Sequence, residues 1–464
     1  MAHLVWFRND LRVADNPALT AACQSGQQVI ACFLPTPEQW QRHDWSPARL
    51  QFVAEHVAAL GEELAALGIP LEITESNTFN DSLALLFQLC EFHQVSHLHF
   101  NEEYGLNERR RDQRCKQLAD QHGVKVSKYR DQTIAPVGSV LTQQHQPYTV
   151  FTPFSRRWRA QLEEQPTPPW PVPKAVDKPC QPPERWAPEL PAETPPMLAT
   201  GEAAAHLQLN SFLAERGRDY KKHRDMPALP GTSGLSAYLA NGVLSGRQCL
   251  YAAQQALGEQ SAAEGIQCWI NELCWRDFYI HILYHFPRVS MHKAFKEETE
   301  ALQWNPAGSH FAAWKQGQTG IPLVDAAMRQ LNQTGWMHNR LRMVTAMFLT
   351  KNLFIDWRLG EAYFMSRLVD GFLASNNGGW QWSASTGTDA APYFRVFNPV
   401  SQSEKFDPDG TFIRQYVPEL AKLDNKRIHQ PWTTGVIPGG YPRPIVDLKT
   451  SRQEAIEKFK LLKG

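Results

Sequence analysis

The chain has 464 residues, about three times the usual ~150-residue domain, so two or three domains and a large core are expected. Lys+Arg 47 against Asp+Glu 47 leave a net charge of zero, which excludes a whole-chain field for polyanions and confines any nucleic-acid site to a local patch. Hydrophobic residues at 42% with only 20% charged exclude a disordered chain, and no run of about 18 apolar residues is present to span a membrane.

At the amino terminus, Leu4-Val5-Trp6-Phe7 meets a charge at Arg8, too soon for a signal peptide, so the cytoplasm is the expected location. Leu4–Phe7, Gln28–Leu34, Pro70–Thr74, His97–Phe100 and Lys125–Ser127 are short apolar runs that predict strands. Leu50, Val53, Val57, Leu60, Leu64 and Leu67 recur at spacings of three and four and predict a helix over Pro47–Leu67, stopped by Gly68 and Pro70. Strand, helix, strand order predicts an α/β domain over residues 1–130 with a doubly wound, Rossmann-like parallel sheet. Its first turn, Arg8-Asn9-Asp10-Leu11-Arg12, lacks G-x-G-x-x-G, so the usual backbone approach to a pyrophosphate is missing. Dense prolines between Pro166 and Pro196 predict a connector within 131–200, and helical spacing thereafter predicts an all-α domain over 201–464.

Charge follows this division, with 12 basic and 16 acidic residues in 1–130 against 29 and 24 in 201–464. The basic excess of the helical part is weak evidence for a polyanion. Eight cysteines without a C-x-x-C pair read as buried free thiols in a reducing compartment. Fifteen tryptophans are more than globular composition calls for, which suggests that indoles have a use.

Several chemistries are excluded. Gly231-Thr232-Ser233-Gly234 is not G-x-S-x-G, no P-loop pattern occurs, and His281 and His285 lack the glutamate of a zincin helix, so no metal is expected. Four segments remain. Thr232-Ser233-Gly234-Leu235-Ser236 gathers hydroxyls at a helix start, either a phosphate cradle or plain capping. Trp269, Glu272, Trp275, Arg276 and Tyr279 share one helical face, which suits a flat heterocycle stacked on indoles and read by a carboxylate, or an amphipathic boundary helix. Gly335–Met343 opens another helix with Asn339 and Met343 one turn apart, and Asp370–Trp382 reads as a polar, glycine-rich turn flanked by aromatics.

Trp6-Phe7-Arg8, Thr232-Ser233-x-Leu235-Ser236, Trp269-x-x-Glu272-x-x-Trp275-Arg276-Asp277-Phe278-Tyr279, Thr334–Met343 and Asn376-Asn377-Gly378-Gly379-Trp380-Gln381-Trp382 together resemble the DNA photolyase and cryptochrome family, nearest its bacterial cyclobutane pyrimidine dimer enzymes. The resemblance spans essentially the whole chain. It implies reduced FAD held in the all-α domain by Tyr220, Thr232, Ser233, Gly234, Leu235, Ser236, Trp269, Arg342, Asp370, Gly371, Phe372 and Asn376, with Arg342 and Asp370 paired over the flavin. Asn376 is implied to face flavin N5. It implies light-driven electron donation to a flipped-out dimer in single- or double-stranded DNA, with Glu272, Asn339 and Asn376 catalytic. Arg224, Glu272, Trp275, Arg276, Asn339, Arg340, Met343, Trp382 and Gln402, joined by Lys405, are the implied DNA and lesion contacts. Trp304, Trp357 and Trp380 are the implied electron relay. His43, Asn107 and Glu108 are the implied antenna site, for methenyltetrahydrofolate or a deazaflavin.

Two positions depart from the family pattern: Phe372, where an acidic residue is usual, and Ser290-Met291, where Cys-Lys is usual. The rival function is a signalling cryptochrome, which would be expected to carry a longer tail beyond Gly464. Histidines expected for the (6-4) photoproduct are absent at Asn339 and Met343. A monomer without membrane contact is expected.

Overall fold

The computed structural model describes residues 2–192, 194, 195, 198–258 and 263–463. All five predicted strands form: Ala2–Phe7 (β1), Gln28–Phe33 (β2), Leu71–Ile73 (β3), Val95–Asn101 (β4) and Lys125–Tyr129 (β5). They make one parallel sheet in the order β3-β2-β1-β4-β5. Strand order reverses between β1 and β4, so the carboxyl ends of these strands leave the crevice where doubly wound sheets bind ligands. Alternation along the strands explains the layering: Leu4, Trp6, Ile30, Cys32, Leu98 and Phe100 form one face, packed with Leu83, Leu86 and Phe87 of the Phe79–Phe92 helix.

The apolar stripe from Leu50 to Leu67 forms the helix Pro47–Ala66, with Pro47 in its first turn and Ser46 accepting from the Arg49 N–H. It stops because Gly68 turns to φ 76°, where a Cβ would lie 2.5 Å from the Asp177 carbonyl oxygen. That close approach belongs to the proline-rich segment, whose Val176 N–H reaches the Leu67 carbonyl at 2.9 Å. Among its described residues, 166–196 holds no helix or strand, whereas Phe151–Glu164, inside the region expected to be a linker, is a helix.

The chain divides into two compact units. One comprises Met1–Arg218, Ser233–Pro287 and Asp370–Phe372, and the other Asp219–Thr232, Arg288–Val369 and Leu373–Gly464. The change to helical structure near residue 200 is therefore distinct from the division into units. Buried ion pairs tie the helix Gly246–Leu257 to the loops that follow β1 and β5: Arg247 lies 3.0 Å from Asp15 and 2.6 Å from Asp131, and Arg12 also pairs with Asp131. The second unit is helical, with a core built on Trp314, Leu331, Leu341, Trp357, Phe364 and Trp380.

The predicted turn over 370–382 is a correction. Leu373–Ala384 is an α-helix with Asn376, Asn377, Gly378 and Gly379 inside it. Two interior glycines cost roughly 1 kcal/mol each against alanine. Tertiary bonds offset this: Asn377 donates to the Glu361 carboxylate at 2.9 Å, and Gln381 accepts from the Phe295 N–H at 2.8 Å. Free cysteines are mostly buried, and no described helix is long and apolar enough to cross a membrane.

Candidate active site

In the first unit, the helix Ala263–His285 carries Trp269, Glu272, Trp275 and Arg276 on one face, as their spacing requires. Trp269 is buried against Phe212, with ring centroids 5.1 Å apart. Trp275 is half-buried and lies flat on Phe151, at 3.6 Å between centroids and 5° between planes. That stack fixes the indole plane in advance of any ligand. Glu272 is half-buried between the two indoles, and Arg276 turns away to donate to the carbonyls of Gln132 and Leu239.

The helix is anchored from its back by Asp277, which accepts from the N–H groups of Ile134 and Ala135 and from the Trp158 indole at 2.9 to 3.0 Å. Burial raises its carboxyl to about 6 even with these donors. His281, one turn on, bonds the Ala135 carbonyl at 3.2 Å and packs edge-on to Phe154. Ser233 and Gly234 stand near Gln208, whose amide donates to the Ser233 carbonyl at 2.7 Å. The helix Ser236–Ala240 that follows has no side-chain cap, so its first-turn N–H groups and the Ser233 and Ser236 hydroxyls line the segment without a built-in acceptor. Phe372 lies under the Arg276 guanidinium at 5.1 Å, and Arg49 holds the preceding Gly371 carbonyl. Asp370 is buried.

In the second unit, Tyr220 is buried beneath Arg224. Arg340 pairs with Asp225 at 2.9 Å and lies over Phe406, the ring that Lys405 also approaches. Asn339 is exposed, Met343 and Trp382 are half-buried, and the buried Oε1 of Gln402 has no hydrogen-bond partner. The helix Asn339–Met347 starts on His338, whose Nδ1 accepts from the Arg340 N–H, and Arg342 donates to the Met337 carbonyl at 2.8 Å. Asn376 donates its amide N–H to the Glu361 carbonyl at 3.0 Å. Its Oδ1 is thereby the end left to accept a bond.

Trp380 and Trp357 are fully buried in one packed cluster, with Trp304 half-buried against it. Trp380 meets Phe364 edge-on at 4.9 Å, and a Cβ on Gly360 would lie 2.1 Å from its ring. Trp304 rests on Phe354 at 4.9 Å.

At the carboxyl ends of β1 and β4 the first unit holds a pocket open to solvent, lined by Arg8, Asn9, Trp40, His43, Glu103 and Glu108 among others. His43 and Asn107 meet at 3.0 Å, and His43 lies 3.5 Å from Glu108. Burial, with Glu103 adding to it, raises the Glu108 carboxyl to about 7. Part of the indole excess is spent here: Trp40 stacks on Trp45 at 4.6 Å, and Trp186 from the proline-rich segment closes edge-on at 5.8 Å.

A family profile described as DNA photolyase matches residues 3–174, and one described as the FAD binding domain of DNA photolyase matches 269–461. The deoxyribodipyrimidine photo-lyase of Salmonella typhimurium is 46% identical over 469 residues, covering 98% of each chain. The chain belongs to the DNA photolyase family. Among solved structures, a bacterial class III photolyase from Agrobacterium tumefaciens is similar at a TM-score of 0.87 and 35% identity, covering 100% of this chain and 98% of that one. A Synechocystis cryptochrome reaches the same TM-score at 29% identity, covering 98% of each.

Several positioning residues of this photolyase-family chain escaped the sequence reading. Phe151 sits in the stretch read as linker, Arg49 holds Gly371 from the Pro47–Ala66 helix, and Glu361 orients Asn376 and Asn377. No local signal marks Phe151 or Arg49, because each acts on residues far away in sequence.

Proposed function

We propose that this chain repairs cyclobutane pyrimidine dimers in DNA by a light-driven reaction, with Glu272, Trp275 and Asn376 among the residues that carry it. The observation that carries the reading is the Trp269–Glu272–Trp275 face on a helix fixed from behind by Asp277, in a chain 46% identical over its length to a named photo-lyase. FAD, the cofactor of the family's helical domain, supplies light absorption and the loan of one electron. The residues present fit it. The uncapped start of the Ser236 helix with the hydroxyls of Thr232, Ser233 and Ser236 suits phosphate. Asn376, its N–H already bonded to Glu361, offers an oxygen to an N–H and cannot ionise, which suits a reduced, proton-bearing flavin edge. Tyr220, Trp269, Arg342, Asp370, Gly371 and Phe372 complete the proposed FAD contacts. At Phe372 the ring already serves the Arg276 guanidinium, so its contact to the cofactor is assigned to the backbone.

Glu272 is assigned to the dimer carbonyls and ring N–H, Asn339 and Met343 are assigned to the lesion as well, and Trp275 and Trp382 are assigned to stacking. A dimer stacks and pairs poorly in the duplex, so flipping it out costs less than the few kcal/mol an intact base requires. Arg224, Arg340, Lys405 and Gln402 are assigned to phosphates, which position the strand without reading it, and Arg276 to a phosphate with what its two carbonyl bonds leave of its fork. The enzyme is proposed to act as a monomer in the cytoplasm on nucleoid DNA.

The test is binding in the dark to an irradiated and an unirradiated oligonucleotide. The native protein is expected to prefer the irradiated strand, and Trp275→Ala to cost roughly 1 to 3 kcal/mol on that strand, with little change on the other. Added salt should weaken both. Equal losses on both strands for Trp275→Ala would contradict the stacking role.

The cavity lined by His43 and Glu108, with Asn107 bonded to His43, is assigned to an antenna, methenyltetrahydrofolate in preference to a deazaflavin, because a pterin edge pairs a ring N–H with an adjacent amino group that can meet both oxygens of an ionised Glu108, where a deazaflavin edge offers one N–H. Glu108 has a raised folded-state value, so it stabilises the empty protein at low pH and that contribution is lost as pH rises through about 7. Folate affinity should do the reverse and strengthen as pH rises through 7. In a fluorescence titration Glu108→Gln should flatten this dependence. An unchanged pH slope in Glu108→Gln would remove the carboxylate from the site.

A further inference from the structure

On the face of the sheet opposite Leu4, Trp6, Leu98 and Phe100, His3 of β1 and His97 and His99 of β4 project together, because β1 and β4 pair in parallel with His3 opposite His97 and Val5 opposite His99. Each imidazole offers one ring nitrogen, and these three nitrogens lie within 4.8 Å of one another. The His3 Nδ1 and His99 Nε2 face each other at 3.0 Å. His99 is oriented from its other side by the Tyr129 hydroxyl at 2.9 Å, and His97 by the Ser127 hydroxyl at 2.8 Å, both from β5. His99 is buried, while His3 and His97 are half-exposed, so the cluster has a fixed floor and an accessible mouth.

We propose that His3, His97 and His99 form a binding site for a divalent late first-row metal ion, with Zn²⁺ as the probe. A tetrahedral Zn²⁺ with bonds of about 2.0 to 2.1 Å holds its nitrogens about 3.3 Å apart. The His3–His99 pair needs to open by only a few tenths of an ångström, and the remaining closure falls on the half-exposed rings. The donor set consists of imidazoles alone, which selects Zn²⁺, Ni²⁺ or Cu²⁺ over Mg²⁺ and Ca²⁺, whose preferred ligands are carboxylates and carbonyls. A metal-ligating histidine donates its second ring N–H to an outer acceptor that sets its orientation, and the Ser127 and Tyr129 hydroxyl oxygens can accept in that way here. Three protein ligands leave a fourth position for water, and the bound ion would tie β1 to β4.

The test uses the FAD-loaded full chain, stripped with chelator and dialysed against Zn²⁺ at neutral pH with the metal counted, followed by thermal melts. The native protein is expected to take up one Zn²⁺ and melt at a higher temperature with it, while Mg²⁺ does neither. His3→Gln and His97→Gln, at half-exposed positions, should each weaken Zn²⁺ at least tenfold with the flavin spectrum unchanged, since even outer partners cost about 10- to 100-fold. His310→Gln, at an exposed histidine elsewhere, should leave binding as it is. Absence of stoichiometric Zn²⁺ in the native protein overturns the site, and so does equal affinity in the His3→Gln and His97→Gln proteins.

Discussion

Glu272→Ala is expected to lower dimer repair per absorbed photon far more than it lowers affinity for damaged DNA. Glu272 sits half-buried between Trp269 and Trp275, and its helix is held by the Asp277 bonds to Ile134, Ala135 and Trp158. In the proposed reaction such a preorganised group meets the negative charge that appears on a pyrimidine carbonyl as the ring opens. A hydrogen bond to a charged group contributes roughly 1.5 to 3 kcal/mol net. Acting on the choice between ring opening and futile electron return, a loss of that size changes the ratio of the two rates by roughly 10- to 150-fold and lowers the yield accordingly. Glu272→Gln keeps the shape and an N–H donor but has no proton to transfer, so its yield should lie between those of Ala and the parent. Single-turnover repair of bound, irradiated oligonucleotide measures this, and parental yield in Glu272→Ala would reduce Glu272 to a binding residue.

Trp304→Phe is expected to remove most of the photoreduction of oxidised flavin by external reductant while leaving repair by chemically prereduced enzyme intact. Trp380, Trp357 and Trp304 lie in one continuous aromatic and aliphatic cluster, graded from fully buried to half-exposed, as a route from cofactor to solvent requires. Trp304 is the replaceable end, resting on Phe354 where a phenyl ring also fits. The inner end is constrained. A Cβ at Gly360 would overlap the Trp380 ring at 2.1 Å and Leu349 at 2.7 Å, so Gly360→Ala should destabilise the protein by about 1 to 3 kcal/mol through overpacking. Denaturant melts of Gly360→Ala and photoreduction rates of Trp304→Phe check the two halves. Equal photoreduction in Trp304→Phe and parent would leave Trp304 as packing alone.

Much of the fold was written locally. Short apolar runs became β1 to β5, and the stripe from Leu50 to Leu67 became a helix ending one residue earlier than predicted, because these signals arise from neighbours in sequence. The polar segment around Asn376 was misread as a turn because its helix is supported by partners at Val289, Phe295 and Glu361, and no local pattern announces them. The same limit hid Phe151 beneath Trp275 and the histidine trio, which exists only because strand register places residue 3 beside residues 97 and 99. Glu272 with Trp275 and Asn339 with Met343, proposed as site residues, share helical faces that their spacing alone predicts. Their chemical roles came from the family resemblance.

Repair itself is the most direct measurement. Purified protein with reduced FAD, bound to an oligonucleotide carrying one thymine dimer, is illuminated with blue or near-ultraviolet light, and intact thymines are counted against a dark control. The proposed function predicts restoration of both thymines in the light, none in the dark, and no net consumption of reductant. Dimers that persist under illumination while the flavin is reduced and the DNA is bound would contradict it.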